Sequence, residues 1–346
     1  MNRMSISLLS IILLLFLAES GYSWYSNPYI EKANLDFLLI QPNNRALGMG
    51  NAFVALADDA SATWWNPAGL VKTKSSEVMI SHTFEVPPPI VDCFDHSYLF
   101  IARTKPLDES TVIALSGVQH LWGHTERRCE LNSGQSFNQW DYSVAFSYGV
   151  KINKQFATGL SVKYINSQKE SGGELAQIKH LALDAGMLYN TDQSSSFKHS
   201  FGLVIRNIGP KFRYGDKEEF KSLPTNLNVG YALTAISRVG PTNVLFDINK
   251  RLNKLQMDTF FRNFTYHMGI ETWLDDVFGI RVGQWYDNIE RDSTLSLGAS
   301  LRIKKLIKTK EVQIDFSRYF PGRKLTGYSS VGKYAFSLGI SQSASS

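Results

Sequence analysis

Gly48, Met49 and Gly50 are the first candidates for a binding site, because closely spaced glycines can cradle a phosphate group. A phosphate-binding loop needs a preceding strand and a third glycine, however, and the sequence supplies neither. Glycine also permits positive φ angles where a chain folds tightly. We therefore expect these residues to shape a compact turn and not to bind a nucleotide.

Acidic and histidine side chains supply two incomplete metal sites. Asp58 and Asp59 lack the glycine and the further oxygen ligands of a calcium loop, so we expect one of them to cap a short helix over residues 62–65. His120 and His124 have a spacing that suits zinc only on a helix, whereas they lie at the end of a predicted strand. The sequence also lacks a G-x-S-x-G elbow. It therefore predicts no metal, no cofactor and no enzyme.

Residues 1–20 predict export. Arg3 gives the leader a positive start, residues 6–17 are almost uniformly apolar, and Ala18 and Ser20 are small residues before an expected cleavage point. The apolar run is too short for a comfortable membrane-spanning helix, which needs about 20 residues. We expect a cleaved signal peptide.

Composition narrows the remaining possibilities. The net charge is +5, and its lysines and arginines are scattered, which argues against nucleic-acid binding. The sequence contains two cysteines, Cys93 and Cys129. In an exported protein such a pair is expected to form a disulfide, and two free thiols are the alternative.

From Ser75 onward, apolar residues alternate with small or polar ones. A period of two predicts β-strands, and the glycines within these segments argue against helices. Leu160, Val162 and Tyr164, for example, alternate with small and charged neighbours. The charged residues of the polar face are Lys163, Asp184, Arg206, His267, Glu271, Arg281 and Arg302.

A polar face of this kind predicts a barrel with a polar interior and an apolar exterior, although alternation alone also fits a soluble sandwich. Segments of about ten residues favour the barrel. So do aromatic residues near the strand ends: Tyr164, Tyr189, Trp273, Tyr286, Tyr319 and Tyr334. The predicted fold is therefore an all-β transmembrane protein, in which residues 75–346 form an outer-membrane β-barrel of about fourteen antiparallel strands.

The connections between candidate strands alternate in length. Residues 104–110, 151–155 and 274–276 form short connections. The long ones are 85–96, 122–138, 167–178, 209–224, 251–263 and 319–330. Since short turns face the periplasm and long loops face outward, Cys93 and Cys129 are expected on neighbouring external loops.

Residues 21–74 precede the barrel, and within them the stretch from Gln41 to Leu70 does not alternate. We expect this stretch to form a hatch or plug inside the barrel, entered from the periplasmic side. Trp64 and Trp65 are expected to pack against the wall, with a path for an apolar ligand as the alternative. The candidate hatch residues are Gly48, Met49, Gly50, Trp64, Trp65, Asn66, Pro67 and Ala68.

The charged residues of the interior have two interpretations. Lys163, Arg206, Arg281 and Arg302 could bind an anionic partner. Internal ion pairs with Asp184 and Glu271 are the simpler expectation, because buried charges are normally paired.

Two motifs resemble a known family. Residues 45–52, RALGMGNA, and residues 66–69, NPAG, resemble the N-terminal motif of the PorV/PorQ group, which is similar to the wider FadL-like outer-membrane barrels. Residues 207–212, NIGPKF, and 223–230, LPTNLNVG, resemble PorV in particular. The resemblance implies a fourteen-stranded barrel with an N-terminal hatch. Where such barrels commonly end in an aromatic residue, this sequence ends in Ser346, so we expect the assembly signal slightly upstream, around Tyr334, Phe336 and Leu338.

The resemblance also implies a function. A PorV-like protein is an outer-membrane component of type IX secretion that binds the translocon and cargo C-terminal signal domains, and passes cargo to the sortase-containing attachment complex. The alternative is a FadL-like passive transporter of hydrophobic small molecules, which should have an apolar pocket around the hatch. The candidate partner-binding residues of the loops are Phe84, Pro87, Pro88, Pro89, Ile90, Phe260 and Phe261.

Overall fold

The computed structural model describes residues 35–342 apart from 86–95, 123–139, 172–173, 192–195, 215–219, 253–263, 288–291, 308–309 and 322–332. Before the first strand, residues 35–74 form what we call the N-terminal segment. It contains a 3₁₀ turn at Asp36–Leu39, helix α1 at Asn44–Gly48, helix α2 at Ala62–Trp65 and a 3₁₀ helix at Pro67–Lys72. No helix in the described ranges is long and apolar enough to cross a membrane.

Strands make up the rest of the described chain. Their bounds are β1 Glu77–Glu85, β2 His96–Pro106, β3 Thr111–Trp122, β4 Trp140–Lys151, β5 Phe156–Ser171, β6 Glu174–Asn190, β7 Phe197–Ile208, β8 Asn226–Ile236, β9 Pro241–Arg251, β10 Phe264–Leu274, β11 Phe278–Asp287, β12 Asp292–Ile307, β13 Lys310–Pro321 and β14 Lys333–Gln342. Each pairs antiparallel with its neighbours in sequence, and β1 also pairs with β14, Glu77 opposite Ser341. The predicted all-β antiparallel class is confirmed.

The two ends of this ring differ. At one end, which we call the turn end, residues 107–110, 152–155, 237–240 and 275–277 connect successive strands. The other end, the loop end, carries the connections of β1 to β2, β3 to β4 and β7 to β8. The N-terminal segment leads into β1 at the turn end.

Apolar side chains point outward along the strands. On β5, Leu160 and Val162 are exposed, while Gly159, Ser161 and Lys163 between and beside them are buried. The same pattern recurs around the ring, with exposed residues that include Ile80, Ile101, Leu115, Phe146, Leu183, Leu203, Val229, Ile270, Val282 and Leu297. An apolar exterior and a polar interior suit a barrel surrounded by lipid.

The N-terminal segment lies against the inward faces of the strands. Nearly all of residues 42–73 are buried. Helix α1 contacts β11 to β14, and the 3₁₀ helix at Pro67–Lys72 contacts β3 to β6. Its apolar side chains form the centre of the main hydrophobic cluster, in which Phe53, Trp65 and Leu70 are among the most fully buried residues.

Two local expectations are wrong. Residues 167–178 do not form a long loop, because β5 and β6 continue as a paired hairpin up to Ser171 opposite Glu174. Neither Asp58 nor Asp59 caps α2, whose N-cap is Ser61 and has no side-chain cap bond. Trp273 lies next to the end of β10, as expected, and its side chain is 2% exposed and packs inside.

Several sequence expectations concern residues outside the described ranges: the leader 1–20, Pro87, Pro88, Pro89, Ile90, Cys93, His124, Cys129, Phe260, Phe261 and Ser346. The backbones of Phe84 and Tyr334 lie in β1 and β14, but their side chains are not described. These expectations stay predictions.

Candidate functional site

Seven inward-facing glycines of the wall form a seat for the N-terminal segment. A Cβ atom placed on any of them would come within 3.0 Å of an atom of that segment. Several lie directly opposite one another on adjacent strands, as Gly149 with Gly159 and Gly269 with Gly283 do. The backbone of the segment therefore packs directly on the backbone of the wall. We call this set the wall glycines: Gly149, Gly159, Gly186, Gly202, Gly230, Gly269 and Gly283.

Gly50 lies in a turn of the segment where φ is positive. Its φ is 62°, in the left-handed region that the sequence predicted for this turn. Its N–H donates to Ser296 Oγ at 2.9 Å, and its carbonyl oxygen lies 2.8 Å from His267 Nδ1. Gly48, by contrast, ends helix α1 and faces Gly298 across a backbone contact. Both glycines serve close packing.

Asp247 fixes the middle of the segment. Its carboxylate accepts the backbone N–H groups of Phe53 at 2.7 Å and Val54 at 2.9 Å. Asp247 is buried on the inward face of β9. Buried backbone donors are costly when unpaired, so this carboxylate replaces partners that a helix or sheet would otherwise supply.

Asn66 joins the end of helix α2 to the wall. Its side-chain amide donates to the carbonyl oxygens of Val54 and Met187, each at 3.1 Å, and its Oδ1 accepts the N–H of Ala68 at 3.1 Å. The last bond caps the 3₁₀ helix that begins at Pro67. The Asn-Pro-Ala motif thus forms a turn that is bonded to β6.

Trp64 and Trp65 pack within the protein. Their rings meet edge to face at 4.6 Å, and Trp65 also contacts Phe53 at 5.9 Å. The guanidinium of Arg206, from β7, lies 3.8 Å from the centre of the Trp64 ring. This arrangement agrees with packing against the wall, the simpler of the two expectations for these residues.

A chain of buried charges links helix α1 to three strands. Arg45 binds Glu271 through two bonds of 2.7 Å and also pairs with Asp58 at 2.5 Å. Glu271 in turn accepts from Arg281 at 2.7 Å, and Arg281 lies 3.3 Å from Asp315. Arg45, Glu271, Arg281 and Asp315 are each 5% exposed or less. Each carboxylate is therefore matched by a guanidinium.

Other interior charges are also paired or stacked. Lys163 on β5 lies 2.6 Å from Asp184 on β6 and donates to Asn207 at 2.9 Å. Arg302 pairs with Asp276 near the turn end. Among the described residues, Arg206 forms no ion pair with a carboxylate within 4 Å, and its guanidinium stacks on the Trp64 ring. The geometry thus supplies internal partners for Lys163, Arg281 and Arg302.

A cavity of about 310 Å³ opens beside the N-terminal segment near the turn end. Its lining is mostly polar and includes Asp58, Asp59, Glu77, Arg302 and Glu311. Within the described ranges, no three His, Cys, Asp or Glu side chains are grouped so that they could hold a metal ion.

Two ionisable groups of the segment have shifted pKa values. Burial raises the pKa of the Asp59 carboxyl, although Arg45 acts in the opposite direction. Burial also lowers the pKa of Lys72 to about 8. The Lys72 ammonium donates to the carbonyl oxygens of Ala55 at 2.9 Å and Leu56 at 2.8 Å, which ties the end of the segment to its middle.

The residues of the seat were only partly visible in the sequence. Glycines within strands indicated close approach of another backbone, but which glycines face inward follows only from the register. Asp247 and Ser296 carried no signal beyond their position on the polar face. A small residue recurring at inward positions of consecutive strands is the signal that could have located the seat.

Comparisons with known proteins agree with this architecture. A family model described as "Type IX secretion system protein PorV" matches residues 27–259, more than half of the chain. No curated protein matches the sequence.

Several solved structures share the fold. The Ralstonia pickettii toluene transporter TbuX has a TM-score of 0.55 at 10% identity, over 87% of this chain and 98% of its own. CymD, a monoaromatic hydrocarbon channel, has a TM-score of 0.53 at 12% identity, over 88% and 98%. A Pseudomonas aeruginosa FadL homologue has a TM-score of 0.50 at 11% identity, over 93% and 99%. At such identities the likeness shows the fold alone.

Proposed function

The chain belongs to the PorV family of type IX secretion system proteins, and we propose that it is an outer-membrane barrel that binds the secretion translocon and the C-terminal signal domains of cargo. In this role it passes cargo to the attachment complex that contains the sortase. The family match carries the proposal, because it spans the N-terminal segment and the strands up to β9. The protein acts by binding, and no residue is assigned a catalytic role.

The exterior of the barrel supports a membrane location. Exposed aliphatic and aromatic side chains such as Ile101, Leu160 and Ile270 alternate with buried polar residues along the strands. In a soluble protein this distribution would leave a large apolar surface in water. We assign residues 1–20 to a signal peptide, 21–74 to the hatch and its lead-in, and 75–346 to the barrel, in the outer membrane.

The N-terminal segment acts as a plug in this proposal. Its backbone rests on the wall glycines, and Asp247 and Ser296 bind its N–H groups. A plug that is held by backbone contacts keeps the interior closed while proteins bind elsewhere. The hatch residues Gly48, Met49, Gly50, Trp64, Trp65, Asn66, Pro67 and Ala68 therefore have a sealing role.

Protein partners would then bind at the loop end and on the lateral face. The loop residues Phe84, Pro87, Pro88, Pro89, Ile90, Phe260 and Phe261 are candidate contacts, because exposed apolar and aromatic side chains are enriched in binding surfaces. A disulfide between Cys93 and Cys129 would join two of these loops.

A second function is supported by the fold neighbours. TbuX is a toluene transporter and CymD a hydrocarbon channel, and this chain could carry hydrophobic small molecules in the same way. The cavity of about 310 Å³ beside the segment favours the first function, because its lining is charged and hydrophobic ligands bind in mostly apolar pockets.

Deletion of the gene tests the two functions against each other. We expect secreted cargo to accumulate unprocessed in the periplasm, while uptake of fatty acids and monoaromatic hydrocarbons stays normal. Reintroduction of the wild-type gene should restore processing. Normal processing together with lost uptake would overturn the secretion function and support the transporter.

Purification of the intact barrel in mild detergent provides the direct test. We expect the translocon and cargo that carries its C-terminal signal domain to co-purify, and cargo from which that domain has been removed to be absent. Equal recovery of both forms of cargo would show that the signal domain is not what the barrel binds.

A further inference from the structure

Strand β6 is longer than its partner on one side. It runs from Glu174 to Asn190, and it pairs with β5 over its whole length. Its pairing with β7 begins only at Leu183, which lies opposite Ile208. Among the described residues, the part of β6 before Leu183 therefore pairs with a strand on one side only, since its other edge has no described strand beside it.

The sequence of β7 explains why the pairing stops there. The register shifts between Leu183 and Ala185, and Asn207 in this bulge has φ 59°. Continuing the pairing by two residues would place Pro210 opposite Leu181. Proline has no N–H to donate, so the ladder ends at the Asn-Ile-Gly-Pro motif.

Beyond Pro210 the chain turns into the barrel and does not continue along β6. Phe212, Tyr214 and Leu223 are each 7% exposed or less and belong to the main hydrophobic cluster. Phe212 pairs with Lys221 in an isolated bridge. This stretch contacts β6 at His180, whose Nε2 lies 2.9 Å from the Pro210 carbonyl oxygen, and at Leu181, whose carbonyl oxygen faces Gly209.

The direction of the unpaired backbone groups follows from Gly209. A Cβ atom on Gly209 would lie 2.6 Å from the carbonyl oxygen of Leu181, so this carbonyl points to the side of β6 away from β5 and is covered there by Gly209. In an antiparallel strand, the N–H and C=O of one residue point to the same side, and alternate residues share that direction. Lys179 and Gln177 therefore also direct their N–H and C=O groups to the open edge, and both side chains are exposed.

We propose that this edge of β6, at Gln177 and Lys179, binds an extended strand of the cargo C-terminal signal domain by strand addition. The inference rests on the proposed function and names the surface that the cargo uses. A row of outward-pointing N–H and C=O groups selects a β-strand, because only an extended backbone matches their spacing. The edge lies at the loop end, the end on which exported cargo emerges in the proposed orientation.

Proline substitution at the edge tests the proposal. Lys179→Pro removes one N–H on the open side and leaves the ladder with β5 in place, since proline is tolerated where the N–H faces away from the sheet. Lys179→Ala is the matched control, because it removes the side chain and keeps the N–H. Gln177→Pro tests a second N–H of the same edge. Ile178→Pro removes an N–H directed at β5 and is the control for a variant in which the barrel itself is destabilised.

Each full-length variant is purified in detergent, and its fold is checked by heat-modifiable migration on a gel. Binding to a purified cargo signal domain is then measured. We expect Lys179→Pro and Gln177→Pro to migrate as folded barrels and to weaken the Kd at least tenfold, about 1.4 kcal/mol. Lys179→Ala should bind within twofold of the wild type.

The outcomes separate the edge from the proposed function. Wild-type affinity in both folded proline variants overturns the edge as the binding surface, while the proposed function stands. No binding to the wild-type barrel overturns the proposed function. If the wild-type protein is a dimer and Lys179→Pro is a monomer, the edge binds a second copy of the chain, and the proposal is overturned. Protection of the edge amides from hydrogen exchange in the free protein would also overturn it, because the chain would then cover its own edge.

Discussion

Replacing a wall glycine should release the N-terminal segment without unfolding the barrel, and Gly283→Ala is the sharpest case. A Cβ atom at position 283 would lie 1.9 Å from the backbone nitrogen of Gly50 and 2.1 Å from the carbonyl carbon of Met49. Neither is the flexible end of a side chain, so the segment itself must move away. Such movement breaks the bonds of Gly50 to Ser296 and His267, which are 2.9 Å and 2.8 Å long.

The size of the effect follows from these contacts. Overpacking a tight interior costs about 1–3 kcal/mol, and each lost hydrogen bond contributes about 0.5–1.5 kcal/mol. We therefore expect the segment to be destabilised by about 3 kcal/mol, which corresponds to a local opening that is about 100-fold more frequent.

Hydrogen exchange of the purified protein in detergent measures this opening. The amides of residues 44–54 should exchange about 100-fold faster in Gly283→Ala, while the strand amides and heat-modifiable migration stay unchanged. Gly117→Ala is the control. It also adds a methyl group to a strand glycine, but its nearest atom, Ile101 Cγ2, lies 3.5 Å away. Wild-type exchange in Gly283→Ala, or equal acceleration in Gly117→Ala, would refute the seat.

Three further predictions concern the charges and the bulge. Arg45→Met removes one of the two guanidinium groups that pair with Glu271. Breaking a buried ion pair costs about 3–5 kcal/mol, so residues 44–54 should become sensitive to protease. Combining Arg45→Met with Glu271→Gln should restore part of the protease resistance. Burial lowers the pKa of Lys72 to about 8 from an ordinary 10.5, so between these pH values the unfolded chain binds more protons than the folded one. The segment should therefore gain stability as pH rises from about 8 to about 10.5. This gain should be absent in Lys72→Met. Asn207 has φ 59°, and its side chain accepts a hydrogen bond from Lys163. Asn207→Ala loses this bond and keeps a β-carbon at a positive φ, so it should lower the free energy of unfolding by about 1–3 kcal/mol. Asn207→Gly also loses the bond but removes the strain at positive φ, so it should be more stable than Asn207→Ala in thermal unfolding.

Each of these three also has a result that would contradict it. Equal protease resistance in Arg45→Met and the wild type would show that α1 does not depend on its ion pairs. The same pH profile in Lys72→Met would assign the titration to another group. Asn207→Gly that is less stable than Asn207→Ala would show that the positive φ is not what the position requires.

The strands were predictable from the sequence because alternate residues face lipid, which requires apolar side chains, and the interior, which requires small or polar ones. Where both apply, as along Leu160 to Tyr164, the period of two is plain and the structure follows it. The β5–β6 hairpin was missed because residues 167–173, SQKESGG, are polar on both faces. Backbone pairing continues there, from Ser167 opposite Ile178 to Ser171 opposite Glu174, but no alternation records it.

The sequence predicted that the interior charges would be paired, but it did not predict every partner. Asp184 and Glu271 were expected to pair with lumen cations, and they do so through Lys163, Arg45 and Arg281. That Arg206 stacks on Trp64 instead was not foreseeable, since the two residues are 142 positions apart in the chain and nothing in either segment specifies their register. Contacts between a segment and a wall depend on how the segment enters, and no local pattern encodes that.

The bonds that hold the N-terminal segment separate the two functions. If the segment left the wall, Asp247, Ser296 and His267 would each lose a backbone partner, and Glu271 would lose Arg45. Unsatisfied buried groups cost about 1–3 kcal/mol apiece, and a hydrocarbon has no donor or acceptor with which to replace the lost partners. A hydrophobic solute would thus have to displace the segment without restoring any of these bonds. A protein that binds at the loop end leaves all of them in place, and so a barrel whose interior is closed by such bonds suits a protein carrier better than a hydrocarbon channel.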